Sequence, residues 1–271
     1  MTEMLNSYEG LVLHTIHKRE TTLAQHHKKN RKPSILAHSM SITKQEDIIE
    51  LDSYRKKSKT VEILPRNLAQ EQYADLLSNR KKSIVFAIGP AGTGKTLLAT
   101  LYAIQELKAG RCKKLVITRP AVSVEEQHGF LPGTLNEKMD PWTRPIFDIF
   151  EEYWSLQTIE FMLEEKTIEI APLAYMRGRT FKNSIILADE MQNATPSQMK
   201  MLLTRIGEGS KIIATGDLAQ HDRGFEQNGL HDFTLRLAEG KSEMIGIVEF
   251  GRKDIERHPA VAEVLRIYGE D

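Results

Sequence analysis

From Val61 onward the chain alternates short apolar runs with stretches whose apolar residues recur at helical spacing. Residues 83–88, 114–118, 167–172, 184–188 and 211–215 are apolar runs rich in β-formers, and they predict strands of a sheet covered on both faces. Residues 243–250 predict a closing strand. Between them, Leu97, Leu98, Leu101, Ile104 and Leu107 mark a helix that Gly110 stops. Residues 68–77 predict a helix ahead of the first strand, after an extended lead-in at Val61–Pro65.

Residues 121–165 read as an insertion between core strands. Gly129–Gly133 is a turn cluster, and Asp140-Pro141-Trp142-Thr143-Arg144-Pro145 is a proline-flanked turn opening a helix with Ile146, Phe147, Ile149, Phe150, Tyr153 and Trp154. These aromatics fall at helical spacing and belong to the core. Thr195 followed by Pro196 and Gln198 writes a helix start with a capping box, and Met199, Leu202, Leu203 and Ile206 form its apolar face. After Asp254–Pro259 a terminal helix places Val261, Val264, Leu265 and Tyr268 inward. Strands alternating with helices predict an α/β fold with a mostly parallel sheet flanked by helices.

One stretch adds chemistry. Gly89-Pro90-Ala91-Gly92-Thr93-Gly94-Lys95-Thr96 follows a predicted strand and opens a predicted helix. Glycines at this spacing let backbone N–H groups converge on phosphate oxygens at a helix N-terminus. Lys95 would then reach the β- and γ-phosphates, and Thr96 would ligate Mg²⁺. A second signal is the strand that ends in Asp189-Glu190. Beside a phosphate loop, Asp189 would hold the Mg²⁺ shell and Glu190 would polarise the attacking water. Asp217 and Gln220, leaving the strand at 211–215, are placed to sense the γ-phosphate.

Arg119 sits where a strand gives way to Pro120, at the edge where open α/β sheets bind ligands. It suits a nucleic-acid contact or an ion pair with an acid of the next loop. Arg177 and Arg179 flank Gly178 near Tyr175, a set that suits phosphate contact and stacking or a structural salt bridge. Arg205 lies near a helix end, where it complements the dipole or approaches a neighbour's nucleotide.

Over the 271 residues, 37 Lys and Arg balance 37 Asp and Glu, so global charge selects no partner. Local charge does more. Lys18, Arg19, Lys28, Lys29, Arg31 and Lys32, then Arg55, Lys56, Lys57 and Lys59, make residues 1–60 a basic extension ahead of a domain at 61–271. Such clusters attract phosphate backbones, or serve as a solvated arm. One cysteine, Cys112, excludes an intramolecular disulfide and fits a reducing compartment. No apolar run reaches membrane-spanning length, which makes cytoplasmic the expectation.

Taken together, the chain resembles the PhoH family of P-loop ATPases. The likeness is carried by residues 89–96, Thr-Arg-Pro-Ala-Val at 118–122, Gly-Phe-Leu-Pro-Gly at 129–133 and Ala-Pro-Leu-Ala-Tyr-Met-Arg-Gly-Arg-Thr at 171–180. Asp-Glu-Met-Gln-Asn at 189–193, Gln-Met-Lys-Met at 198–201, Thr-Gly-Asp at 215–217 with Gln220, and Arg257-His258-Pro259 complete it. The resemblance implies one RecA-like P-loop NTPase domain akin to superfamily 1 helicases. It implies ATP and Mg²⁺ as ligands, RNA or single-stranded DNA as partner, and a homo-hexameric ring. It makes Gln72, or Gln70, the adenine contact, Arg119 a nucleic-acid contact, and Arg257 an arginine finger supplied by a neighbouring subunit, with Arg205 as alternate. The chain departs from the family after Gln220, where His221-Asp222-Arg223-Gly224-Phe225 replaces a short apolar-Asp-Leu-Pro continuation. The alternative function is a nucleotide-regulated binding module that hydrolyses slowly and has no nucleic-acid substrate. A small-molecule kinase would explain the loop but not the paired carboxylates.

Overall fold

The strands that read as continuous apolar text are buried along nearly their whole length. β1 (Ile84–Ile88), β2 (Lys114–Thr118), β4 (Ser184–Ala188) and β5 (Lys211–Gly216) form the centre of a six-stranded sheet in the order β3-β2-β4-β5-β1-β6. Every pairing is parallel. The edges are β3 (Ile168–Ile170) and β6 (Ile245–Glu249). The computed structural model describes residues 59–120, 135–220, 228–240 and 242–268. The basic clusters before Lys59, the turn at 129–133 and the divergent loop at 221–225 lie outside them.

Alternate strand residues feed two cores. On one face Val85, Ala87, Leu115, Ile117, Leu187 and Ile213 pack under α1 (Leu68–Ser78), α2 (Lys95–Lys108), α3 (Leu135–Glu151) and α4 (Leu156–Glu164). On the other, Phe86, Ile88, Val116, Ile186 and Ala214 meet Leu173, Met176, Met191, α5 (Pro196–Leu203) and α6 (Gly229–Glu239). This is the expected α/β architecture of RecA-like type. Its functional consequence is geometric: parallel strands end on one edge, so the residues following β1, β4 and β5 stand side by side.

Three local expectations change. The proline-flanked turn at 140–145 lies inside α3, which starts earlier, at Leu135. Arg144, expected in that turn, sits on the helix and pairs with Asp148 at 2.7 Å and Glu151 at 3.0 Å. α5 stops at Leu203, short of Ile206, and carries both bonds of its capping box between Thr195 and Gln198. The terminal helix α7 (Pro259–Tyr268) does not turn its stripe inward: Val261, Val264 and Tyr268 are 38%, 49% and 78% exposed. Apolar periodicity identified that helix, but periodicity alone does not say which surface covers it.

Candidate nucleotide site

The phosphate loop leaves β1 at Gly89 and ends at Gly94, the N-cap of α2 in the left-handed region at φ +82°. Gly89 has φ +146°, and a Cβ there would collide with the Phe250 carbonyl. Only glycine serves at that point, because the chain after β6 presses directly on the loop. Gly89 N–H donates to Gly216 O at 3.0 Å, locking the loop to the end of β5. Thr93 is fully buried and its hydroxyl donates to Pro90 O at 3.0 Å.

Lys95 folds back over its own loop. Its Nζ donates to Gly89 O at 2.6 Å and Pro90 O at 2.7 Å. Burial pulls its pKa below the ordinary lysine value, while Asp217, Glu190 and Asp189 pull the other way. The ammonium thus sits in a partly desolvated place facing three carboxylates.

Those carboxylates arrive from neighbouring strand ends. Asp189 Oδ1 accepts from the Thr96 hydroxyl at 2.9 Å and from the Thr215 hydroxyl as well. The register explains this, since Ala188 lies opposite Ala214 and the next residue on each strand follows in step. Glu190 occupies the left-handed region at φ +55°, an uncommon conformation for a residue with a Cβ. Its Oε2 accepts from Gln192 Nε2 at 2.5 Å, and Gln192 Oε1 accepts from Asp217 N–H at 3.0 Å. One glutamine therefore ties the two acidic strand ends together.

These groups share a single cavity of about 290 Å³, lined by the loop residues Ala91, Gly92, Gly94, Lys95 and Thr96 and, across from them, by Asp189, Glu190, Asp217 and Gln220. Leu97, one of the apolar residues that mark α2, is 45% exposed and lines the same cavity. The carboxylates and Lys95 do not point into separate spaces, so the paired-acid reading keeps its geometry. Among the described residues no three His, Cys, Asp or Glu converge as a metal cage. A hydroxyl and a carboxylate oxygen in contact suit an ion that takes few protein ligands and completes its shell with water and phosphate.

The family model described as "PhoH-like protein" matches residues 62–269. The chain belongs to the PhoH-like family. It is 43% identical over 220 residues to a PhoH-like protein of Bacillus subtilis, covering 79% of this chain and 66% of that one. To a PhoH-like protein of Synechocystis it is 41% identical over 236 residues, covering 85% and 70%. To protein PhoH of Escherichia coli K12 it is 39% identical over 218 residues, covering 79% and 60%. The chain thus spans about two thirds of the length of these curated relatives. Among solved structures, the crystal structure of Pif1 helicase from Candida albicans aligns at TM-score 0.34 and 14% identity, over 70% of this chain and 40% of that one. That likeness is too low to carry an argument. Family, loop and sheet topology make the molecule a P-loop NTPase.

The remaining family-implied residues divide by placement. Of the two glutamines, Gln70 touches the loop, through Nε2 to Thr93 O at 3.1 Å, whereas Gln72 is exposed one residue before the buried Tyr73. Arg257 extends over Gly92 of its own chain, where a Cβ on that glycine would meet Arg257 Nε at 2.6 Å. Arg205 is committed locally, to Met201 O, Arg179 O and Thr204 Oγ1. Arg179 pairs with Glu169 at 2.5 Å and lies over the Phe181 ring at 4.5 Å. Arg177 is exposed, and Arg119 has a buried Nε without a partner. Thr215 and Gln192 had no predicted role. The hint available was their place in two stretches that carry the family likeness, 215–217 and 189–193.

Among the described residues no helix is long and apolar enough to cross a membrane. Cys112 is buried, and burial raises its thiol pKa to about 11.

Proposed function

We propose that the chain is a Mg²⁺-dependent ATPase whose turnover is coupled to RNA or single-stranded DNA in a cytoplasmic homo-hexameric ring. The observation that carries the reading is the shared cavity. Phosphate loop, Lys95, Thr96, Asp189, Glu190 and Gln220 all line one volume at the carboxyl edge of the sheet.

Thr96 and Asp189 would hold Mg²⁺, which supplies charge neutralisation across the β- and γ-phosphate oxygens. Lys95 exchanges its bonds to Gly89 O and Pro90 O for phosphate oxygens. Glu190 accepts the proton of the attacking water, with Gln192 fixing one carboxylate oxygen and leaving the other for the reaction. Gln220 borders the same space and orients the water or the terminal phosphate. Arg257, lying on its own loop, serves as the charge-stabilising arginine in cis.

The nucleic-acid part rests on Arg119 and Arg177. A guanidinium with a buried, unpartnered nitrogen at the ligand edge of a sheet favours an anionic partner. Tyr175, 68% exposed beside Arg177, offers a stacking face.

Glu190→Gln tests the core claim. ATP binding should persist while turnover falls by about 10²–10⁴-fold, the contribution of a positioned base. Unchanged turnover would remove Glu190 from its role. Adding single-stranded RNA or DNA to the wild-type chain should stimulate hydrolysis, and no response to either would favour the nucleotide-regulated binding module.

A further inference from the structure

The cavity walls concentrate on the phosphate end of a nucleotide, which raises the question of what reads the base. The residue type best suited to an adenine edge near this loop is a glutamine, with one donor group and one acceptor. Gln70 is in position but is only 4% exposed, and its amide is engaged at both ends. Oε1 accepts from Arg66 N–H at 2.8 Å, and Nε2 donates to Thr93 O at 3.1 Å. A Cβ on Gly94 would lie 3.1 Å from that same Nε2, so the amide is packed tightly against the loop. Gln70 does not line the cavity.

The neighbouring loop carbonyl is held in a similar way. Gly92 O accepts from Glu256 N–H at 2.8 Å, in the segment after β6. That segment is joined to α1 by Asn67, the helix N-cap, whose Nδ2 donates to Asp254 O at 3.4 Å. Two consecutive carbonyls of the phosphate loop are therefore fixed from outside, one by α1 and one by the C-terminal segment. In a trans peptide the C=O and the following N–H point in opposite directions. Fixing Gly92 O and Thr93 O therefore turns the N–H groups of Thr93 and Gly94 the other way, as phosphate donors.

We infer that Gln70 is a positioning residue for the triphosphate, and that this chain selects its nucleotide by the phosphate tail with little regard for the base. The inference rests on reading the cavity as a nucleoside triphosphate site. Sites that hydrogen-bond a polar substrate edge reject analogues by large factors, and among the described residues the cavity wall carries no such reader beyond its phosphate end.

The experiment measures competition of ATP, GTP and inorganic tripolyphosphate, each with Mg²⁺, against a fluorescent nucleotide on the full chain. Wild type, Gln70→Ala and Gln70→Glu are compared, with the ligand-free melting midpoint of each as a folding control. For wild type, ATP and GTP should bind within about threefold of each other. Gln70→Ala should weaken ATP, GTP and tripolyphosphate alike, by about tenfold, with the ligand-free midpoint lowered by several degrees for the two hydrogen bonds lost but the chain still folded at the assay temperature. Gln70→Glu should weaken all three further, because a carboxylate would face the Thr93 carbonyl. A strong wild-type preference for ATP overturns the inference without any variant. So does a Gln70→Ala chain that loses its base preference but keeps its tripolyphosphate affinity. Wild type that binds ATP and GTP but not tripolyphosphate overturns selection by the tail and leaves the nucleotide reading standing, whereas wild type that binds none of the three overturns the nucleotide reading and the inference with it.

Discussion

Thr215→Val isolates the least expected member of the site. Asp189 Oδ1 receives two hydroxyl hydrogens, from Thr96 and Thr215, and Thr215 is buried where β5 ends. A hydrogen bond to a charged acceptor contributes about 1.5–3 kcal/mol. Asp189 borders the open cavity, so water takes up part of the loss and about 1–2 kcal/mol remains. At this size the melting midpoint should fall by about 2–4 °C for each kcal/mol, measured without nucleotide or metal. Turnover should fall about tenfold if the second hydroxyl aims the carboxylate during the reaction. The KM for ATP should move by less than about twofold, because triphosphate binding is left to the loop. Thr96→Val acts on the same oxygen, so the double variant should depart from additivity by at least about 0.5 kcal/mol. Unchanged stability and turnover in Thr215→Val, or strict additivity in the cycle, would refute a shared carboxylate.

Two further outcomes concern cations, the buried Lys211 and the exposed Arg257. Lys211 is 8% exposed, its Nζ donates to Leu77 O and to Asn79 O at 3.1 Å, and burial lowers its pKa to about 8. Below about pH 8 the folded and unfolded chains both hold this proton; between there and the ordinary 10.5 only the unfolded chain does. Stability should therefore rise with pH across that window by Lys211's contribution, and urea titrations of Lys211→Met should show a shallower rise; equal slopes would refute the assignment. Arg257 lies on the loop of its own chain, so mixing Arg257→Ala with wild-type subunits should lower ATPase activity in proportion to the variant fraction. A steeper loss would place the side chain at a neighbour's site.

The sheet was legible because strands buried on both faces read as unbroken apolar text. β1, β2, β4 and β5 lie within one residue of the apolar runs 83–88, 114–118, 184–188 and 211–215 that announced them. The placement of Asp189 and Glu190 after a strand, and of Lys95 and Thr96 at the start of a helix, was legible because backbone order fixes such positions. What escaped depends on packing between distant segments. Pro141 and Pro145 read as turn formers, yet both lie within α3. Nothing in a run of residues says that Arg179 will find Glu169, or that Gln70 rather than Gln72 will face Thr93. The first depends on how the loop carrying Arg179 packs against β3 and the second on the rotation of α1, neither of which local propensity encodes.

The position of β1 between β5 and β6 has a consequence for biosynthesis. The strand that launches the phosphate loop leaves the ribosome early, but both of its partners are encoded far downstream, β6 reaching Glu249. At elongation rates of about 5–20 residues per second, the nascent loop waits about ten seconds or more for its flanking strands. Nucleotide cannot chaperone the early chain, because its cavity needs residues as far along as Gln220, beyond the end of β5.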